Sequence, residues 1–278
     1  MSAIRKVGKD VRAEDYWLER SSSYAKRIEG QYHRHRLAMV EALIGDCDLK
    51  SRICVDLGCG EGIFSEYLLG RGARVIAFDP AEEMVRSAAE RLHKTDRDSR
   101  VFKAGVEGLR SIAPESVDFV FALNVIAYLS DDEEGLFYKE SARALRRGAT
   151  MVVTHSNELF DMYTLNRFTV EFFQRHFCGA DRGSGVGSLL TQPDKPDRVS
   201  FNIRENPLTY RYKLGNYGFD EVQQEFANLH EVPPALMDPE VLADIDKRVY
   251  ANTLAWDEKK RWKLLFMCSM FGSRSLKR

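Results

Sequence analysis

A chain of 278 residues can bury one large core and carry an inserted subdomain, but it falls short of two full domains. Its 41 Lys and Arg nearly cancel 42 Asp and Glu, which argues against an extended nucleic-acid footprint. The N-terminus lacks the apolar centre of a signal peptide, and no later stretch approaches about eighteen uncharged apolar residues, so neither secretion nor a membrane span is expected. The cysteines are Cys47, Cys54, Cys59, Cys178 and Cys268, an odd number with no zinc-knuckle spacing, which fits a reduced, cytoplasmic protein.

Residues 12 to 45 read as helices. Tyr16, Trp17 and Tyr24 come early, and Leu37, Val40, Leu43 and Ile44 then follow helical spacing and should pack on a sheet. His33 and His35 stand two apart, on different sides of a helix, so no metal pair is read there. Next comes Arg52-Ile53-Cys54-Val55-Asp56-Leu57-Gly58-Cys59-Gly60-Glu61-Gly62, an apolar strand ending in three alternate glycines, followed by the amphipathic segment Ile63–Leu69. Such glycines permit tight turning and close approach of a ligand, and the helix start behind them presents unpaired N–H groups. The spacing is G-x-G-x-G, not the G-x-G-x-x-G of a dinucleotide site, and Asp56 precedes it. A carboxylate there would repel a pyrophosphate but can hold an ammonium group.

Val55–Gly62 resembles the first motif of class I S-adenosylmethionine-dependent methyltransferases. A second apolar strand, Val75–Phe78, ends in Asp79, twenty-one residues after Gly58. The resemblance implies that Asp79 accepts both ribose hydroxyls of the donor, beside Pro80, and that Met84 packs on adenine or serves as core. Phe102–Glu107 resembles the family's adenine-edge motif, with Val106 N–H as a donor to the ring. The family usually carries Asp at the position of Gly105, which leaves Glu107 as the candidate acceptor for the exocyclic amine. Ser116–Asn124 matches the fourth strand and Ala142–Gly148 the turn before the fifth. The likeness covers roughly residues 50 to 155. It implies a donor site of Asp56, Gly58, Cys59, Gly60, Asp79, Pro80, Met84, Gly105, Val106, Glu107 and Asn124. Tyr16, Arg20 and Tyr24 of the N-terminal segment either fold over the donor or are, for the tyrosines, core and, for Arg20, a solvated surface residue.

The elements then alternate: strand 73–78, helix 81–93, strands 100–103 and 117–123, helix 133–146 and strand 149–155. This pattern implies a doubly wound, mostly parallel sheet with ligands at the strands' carboxyl ends. His155 ends the fifth strand and is either a general base or a ring hydrogen-bonded to its surroundings, with Asp161 and Tyr163 as further candidates. Asn157–Phe177 reads as one long helix, followed by a glycine-rich loop, Gly179–Ser188, and then Pro193 and Pro196. This insertion is placed either as a lid over an acceptor or as an oligomerisation element. Pro207–Gly218 reads as a helix, Phe219–Leu229 as a strand, Pro239–Leu254 as a further helix, and Trp262–Phe271 as the antiparallel partner of Phe219–Leu229.

The expected architecture is an α/β, doubly wound, seven-stranded sheet with a terminal antiparallel hairpin and a helical lid. Its domains are a cap at 1–50, a core at 51–155 and 206–278, and an insertion at 156–205. The expected activity is methyl transfer from S-adenosylmethionine, leaving S-adenosylhomocysteine, to an oxygen or, second, a nitrogen of a small-molecule or glycan acceptor. Asn157–Asp161 and Arg204–Leu208 resemble bacterial sugar- and surface-polysaccharide-modifying methyltransferases, which ranks sugars among the acceptors. The alternatives are a non-catalytic donor-binding subunit and an RNA or protein methyltransferase; a homodimer is compatible with the sequence.

Overall fold

The computed structural model describes residues 30–96, 99–177, 203–251 and 258–278. Tyr16, Arg20 and Tyr24 lie outside them, as do Gly179–Ser188, Pro193 and Pro196. Helix α1 (Gln31–Ile44) precedes β1 (Ile53–Leu57), α2 (Ile63–Gly70), β2 (Arg74–Asp79), α3 (Glu82–Thr95) and β3 (Arg100–Lys103). After a 3₁₀ turn at Val106–Ser111 come β4 (Val117–Ala122), α4 (Asp131–Ala144) and β5 (Leu145–Ser156). Then follow α5 (Phe160–Thr164), α6 (Arg167–His176), α7 (Tyr210–Asn216), β6 (Phe219–Leu229), α8 (Pro239–Ala243), α9 (Ile245–Arg248), α10 (Leu264–Met267) and β7 (Cys268–Lys277). One seven-stranded sheet runs β3-β2-β1-β4-β5-β7-β6. β1 to β5 pair in parallel, and β7 is antiparallel to both its neighbours. This is the doubly wound sheet with a terminal hairpin that the sequence implies.

The order reverses between β1 and β4, and their carboxyl ends meet at the topological switch point, where such sheets bind ligands. Alternation along the strands splits the core. Val55, Leu57, Val120, Met151 and Val153 face a layer with Phe137, Tyr138, Tyr210 and Leu214 from α4 and α7. Cys54, Phe119, Phe121 and Val152 face α1 to α3 through Val40, Leu43, Leu68 and Ala88. Helix α4 starts at Asp131, earlier than read, because Ser130 and Glu133 form a reciprocal capping box that fixes the first turn.

Three expected elements are corrected. The single helix over 157–177 is two, α5 and α6, broken at Leu165, whose backbone is left-handed (φ 54°), and restarted by Asn166, whose side chain accepts from Phe168 N–H. The last strand is Cys268–Lys277 and not Trp262–Phe271; Trp262 lies in a 3₁₀ turn. The helix expected over 239–254 is two short ones, each opened by an aspartate side chain that accepts from the backbone, Asp238 and Asp244. Among the described residues, no helix is long and apolar enough to cross a membrane.

Candidate active site

The glycine loop is held by the end of β2. Gly58 N–H and Cys59 N–H both donate to the Phe78 carbonyl, at 2.7 and 3.0 Å. Gly60 N–H donates to Asp79 Oδ2 and Ala81 N–H to Asp79 Oδ1, each at 2.9 Å. Gly58, Gly60 and Gly62 all have positive φ, at 68°, 55° and 78°. A Cβ on Gly58 would lie 2.4 Å from Val125 Cγ2, so the turn after β4 closes directly over the loop and admits glycine alone.

Two carboxylates stand behind this loop. Asp56 is 2% exposed and accepts the Ser65 hydroxyl of α2 at 2.5 Å. Burial pushes its carboxyl up to about 7; the Ser65 bond opposes that shift and the Asp79 charge adds to it. Asp79 is also raised by burial, while the two backbone donors favour its charged form. Each Asp79 oxygen takes one backbone N–H and keeps lone-pair capacity for a further donor, which suits a vicinal diol. Cys59 is buried, with its thiol raised well above the usual range by burial.

Asn124 follows β4 in a left-handed conformation (φ 63°), and its N–H donates to Thr154 Oγ1 of β5 at 2.7 Å. Pro80 lies beside Asp79, half-buried, and Met84 is buried on α3. Val106 is buried at the start of the 3₁₀ turn. Glu107 is exposed and folds back so that Oε1 accepts Gly105 N–H at 2.8 Å, so its carboxylate already has a backbone partner.

The structure does not bring His155 to this edge. Its ring sits 4.3 Å from the Tyr210 ring and 5.0 Å from Phe271, and it is 2% exposed. Neither ring nitrogen has a hydrogen-bond partner. Burial, with Lys213 nearby, holds its pKa well below the usual value. The cause is strand alternation: His155 shares the face of Met151 and Val153, against α4 and α7, whereas its neighbour Thr154 contacts the loop end at Asn124. As a base facing an acceptor, His155 is therefore corrected to an aromatic-layer residue.

Asp161 is 2% exposed and ion-paired to Arg204. Tyr163 donates to the Glu231 carbonyl at 2.8 Å. The sequence reading did not single out His230, a buried residue that directly follows β6; its ring lies tilted 4.7 Å from that of Phe160, and its pKa is held down to about 4 by burial and the Arg248 charge. Its position one residue past the sixth strand was the available signal.

The end of β5 and the segment before α7 are tied by main chain. Asn157 and Glu205 form a parallel bridge; Glu158 N–H donates to the Glu205 carbonyl and Glu205 N–H to the Ser156 carbonyl. Asn157 is fully buried, and its Nδ2 donates to the Leu265 and Cys268 carbonyls at 2.7 and 2.8 Å while Oδ1 accepts Leu159 N–H.

Residues 55–153 match the methyltransferase domain family. A ubiquinone biosynthesis O-methyltransferase of Hydrogenovibrio crunogenus is 23% identical over 71% of this chain and 82% of its own length. One from Azorhizobium caulinodans is 34% identical over 48% of this chain and 47% of its own length, so the chain spans about half of that relative. Among solved structures, a chain from the Haloferax volcanii methyltransferase–activator complex superimposes with TM-score 0.61 at 16% identity, covering 96% of this chain and 98% of that one. Magnesium protoporphyrin IX methyltransferase of Synechocystis with bound S-adenosylhomocysteine does so with TM-score 0.57 at 15% identity, covering 95% and 97%. Residues 55–153, with their left-handed glycine loop closed on Asp79, are thus a methyltransferase domain, in a chain whose fold is that of the class I S-adenosylmethionine-dependent methyltransferases.

Proposed function

We propose that the protein methylates an oxygen of a small molecule, of the sugar or natural-product kind. The observation that supports the methyl donor in this reading is the loop of three left-handed glycines drawn on to Asp79 by Gly60 N–H, with Asp56 buried one strand away. S-adenosylmethionine, when bound, supplies an electrophilic methyl group and its own leaving group. Asp79 would accept the ribose hydroxyls, and Asp56 would face the donor's ammonium, with the Ser65 hydroxyl orienting its carboxylate. Gly58 and Gly60 leave room for close approach. Pro80 and Met84 border the adenosyl side, and Gly105, Val106 and Glu107 its base edge. Asn124 would line the passage to the acceptor.

For a displacement at carbon, the chain's work is alignment and exclusion of water. The insertion proposed at 156–205, whose two ends meet in the Asn157–Glu205 bridge, would cover the acceptor. Relatives named O-methyltransferases support oxygen over nitrogen. The test incubates the purified chain with methyl-labelled donor and separate panels of sugars and phenolic compounds. A labelled O-methyl product is expected from one panel. Label appearing only on protein or RNA, with the donor bound, would overturn the small-molecule reading.

A further inference from the structure

The glycine loop has a second brace, on α3. Glu61 stands between two left-handed glycines, Gly60 and Gly62, so rotation of its flanking peptide units meets little steric resistance. The loop must therefore be held from outside. Its first half is held by β2, through Phe78 and Asp79. Its second half meets α3. Arg91 Nε donates to the Glu61 carbonyl at 2.9 Å, and Arg91 Nη1 pairs with Glu66 Oε2 on α2 at 3.1 Å. One turn earlier on α3, Ala88 lies so close that a Cβ on Gly62 would sit 3.0 Å from its Cβ.

In a trans peptide the C=O and the following N–H point in opposite directions. Drawing the Glu61 carbonyl outward to Arg91 thus turns Gly62 N–H inward, where it donates to the Cys59 carbonyl at 3.0 Å. The planar guanidinium reaches the carbonyl and the carboxylate at once, which a single ammonium on a flexible stem does less well. We infer that Arg91 is a positioning residue for the methyl donor: it fixes the Glu61–Gly62 peptide, and with it the shape of the loop that receives the donor's amino-acid end. The inference rests on the donor reading of the loop.

Titration calorimetry of the full-length chain with S-adenosylhomocysteine tests it, alongside melting temperatures and amide exchange of residues 58–66 in the free protein. Losing one charge-assisted hydrogen bond should weaken binding by about 10-fold in Arg91→Ala and speed exchange in the loop. Arg91→Lys should recover part of the affinity. Glu66→Gln, which leaves the bond to the Glu61 carbonyl, should stay within about 3-fold of wild type. Should Arg91→Ala fail to fold, Arg91→Gln makes the same comparison with most of the stem retained. A fall in melting temperature with unchanged affinity and unchanged loop exchange would overturn the inference and leave Arg91 a stabilising residue only. Failure of the wild-type chain to bind would be a separate result, removing the donor reading and this inference with it.

Discussion

Asp56 and Asp79 are both buried carboxylates, yet they call for different measurements. Asp79 anchors the loop and is proposed to accept the ribose hydroxyls, so Asp79→Ala should weaken S-adenosylhomocysteine binding by roughly 2 to 4 kcal/mol, on the scale of charge-assisted hydrogen bonds. Unchanged affinity by calorimetry would remove the carboxylate from the donor site. Asp56 carries the pH dependence. Its folded pKa of about 7 lies above the ordinary 3.8, so its contribution to stability is fully present below about 3.8 and is lost as pH rises through 7. An ammonium partner reverses the preference and favours the carboxylate. Donor affinity should therefore rise with pH through about 7, with proton release on binding that calorimetry in buffers of different ionisation enthalpy detects. Affinity flat between pH 6 and 8 would separate Asp56 from the ammonium. His155 gives the contrary expectation. Replacing its two orphaned nitrogens in His155→Phe should leave turnover within about 2-fold and raise stability by up to about 1 kcal/mol. A folded variant without turnover would restore the ring to the chemistry.

The glycine loop and the turn after β4 behave as one interlocked unit. Gly58→Ala should destabilise the chain by roughly 2 to 4 kcal/mol, from the left-handed backbone plus overpacking against Val125. Adding Val125→Ala should recover the packing part and leave the backbone part; chemical denaturation of both variants measures the split. At this scale the sequence was readable where pattern and structure coincide. β3 and β6 fall at the expected residues because apolar or aromatic strand-formers end at turn residues. β7 was misplaced because Gly272, Ser273 and Ser275 look like a turn. In fact β7 lies between β5 and β6, so those serines are buried, with Ser273 donating to Glu221 and Ser275 to the Met151 carbonyl. Gly272 admits α1 so closely that a Cβ would lie 2.6 Å from Leu43 Cδ1. The break at Leu165 left no trace in the apolar spacing, because the helix resumes with its phenylalanines still in phase.

Across the whole molecule, the geometry of the glycine loop and Asp79 was legible and the surroundings of His155 and Asn157 were not, for a physical reason. The loop is built from short-range geometry, an acid and three glycines within seven residues and a second acid on the adjacent strand. The rest depends on which face each strand end presents, and on loops that meet only after folding. His155 shows this: its parity with Met151 and Val153 could have been read, but the aromatic layer that encloses it comes from Tyr210 and Phe271, far along the chain. Asn157 is a second case, tying the end of β5 to the approach to β7. Asn157→Ala would remove the bonds to the Leu265 and Cys268 carbonyls and from Leu159 N–H and should cost about 3 kcal/mol in denaturant unfolding, with earlier proteolysis within 158–204. An unaltered unfolding curve would show that the base of the insertion is held by its main-chain bridge alone.

The most direct measurement of the central claim is a crystal structure of the chain with S-adenosylhomocysteine. It should show both ribose hydroxyls within hydrogen-bond distance of Asp79, the glycine loop around the amino-acid end, and the ammonium on the Asp56 side. The product seated elsewhere, with Asp79 contacting only Gly60 and Ala81, would contradict it.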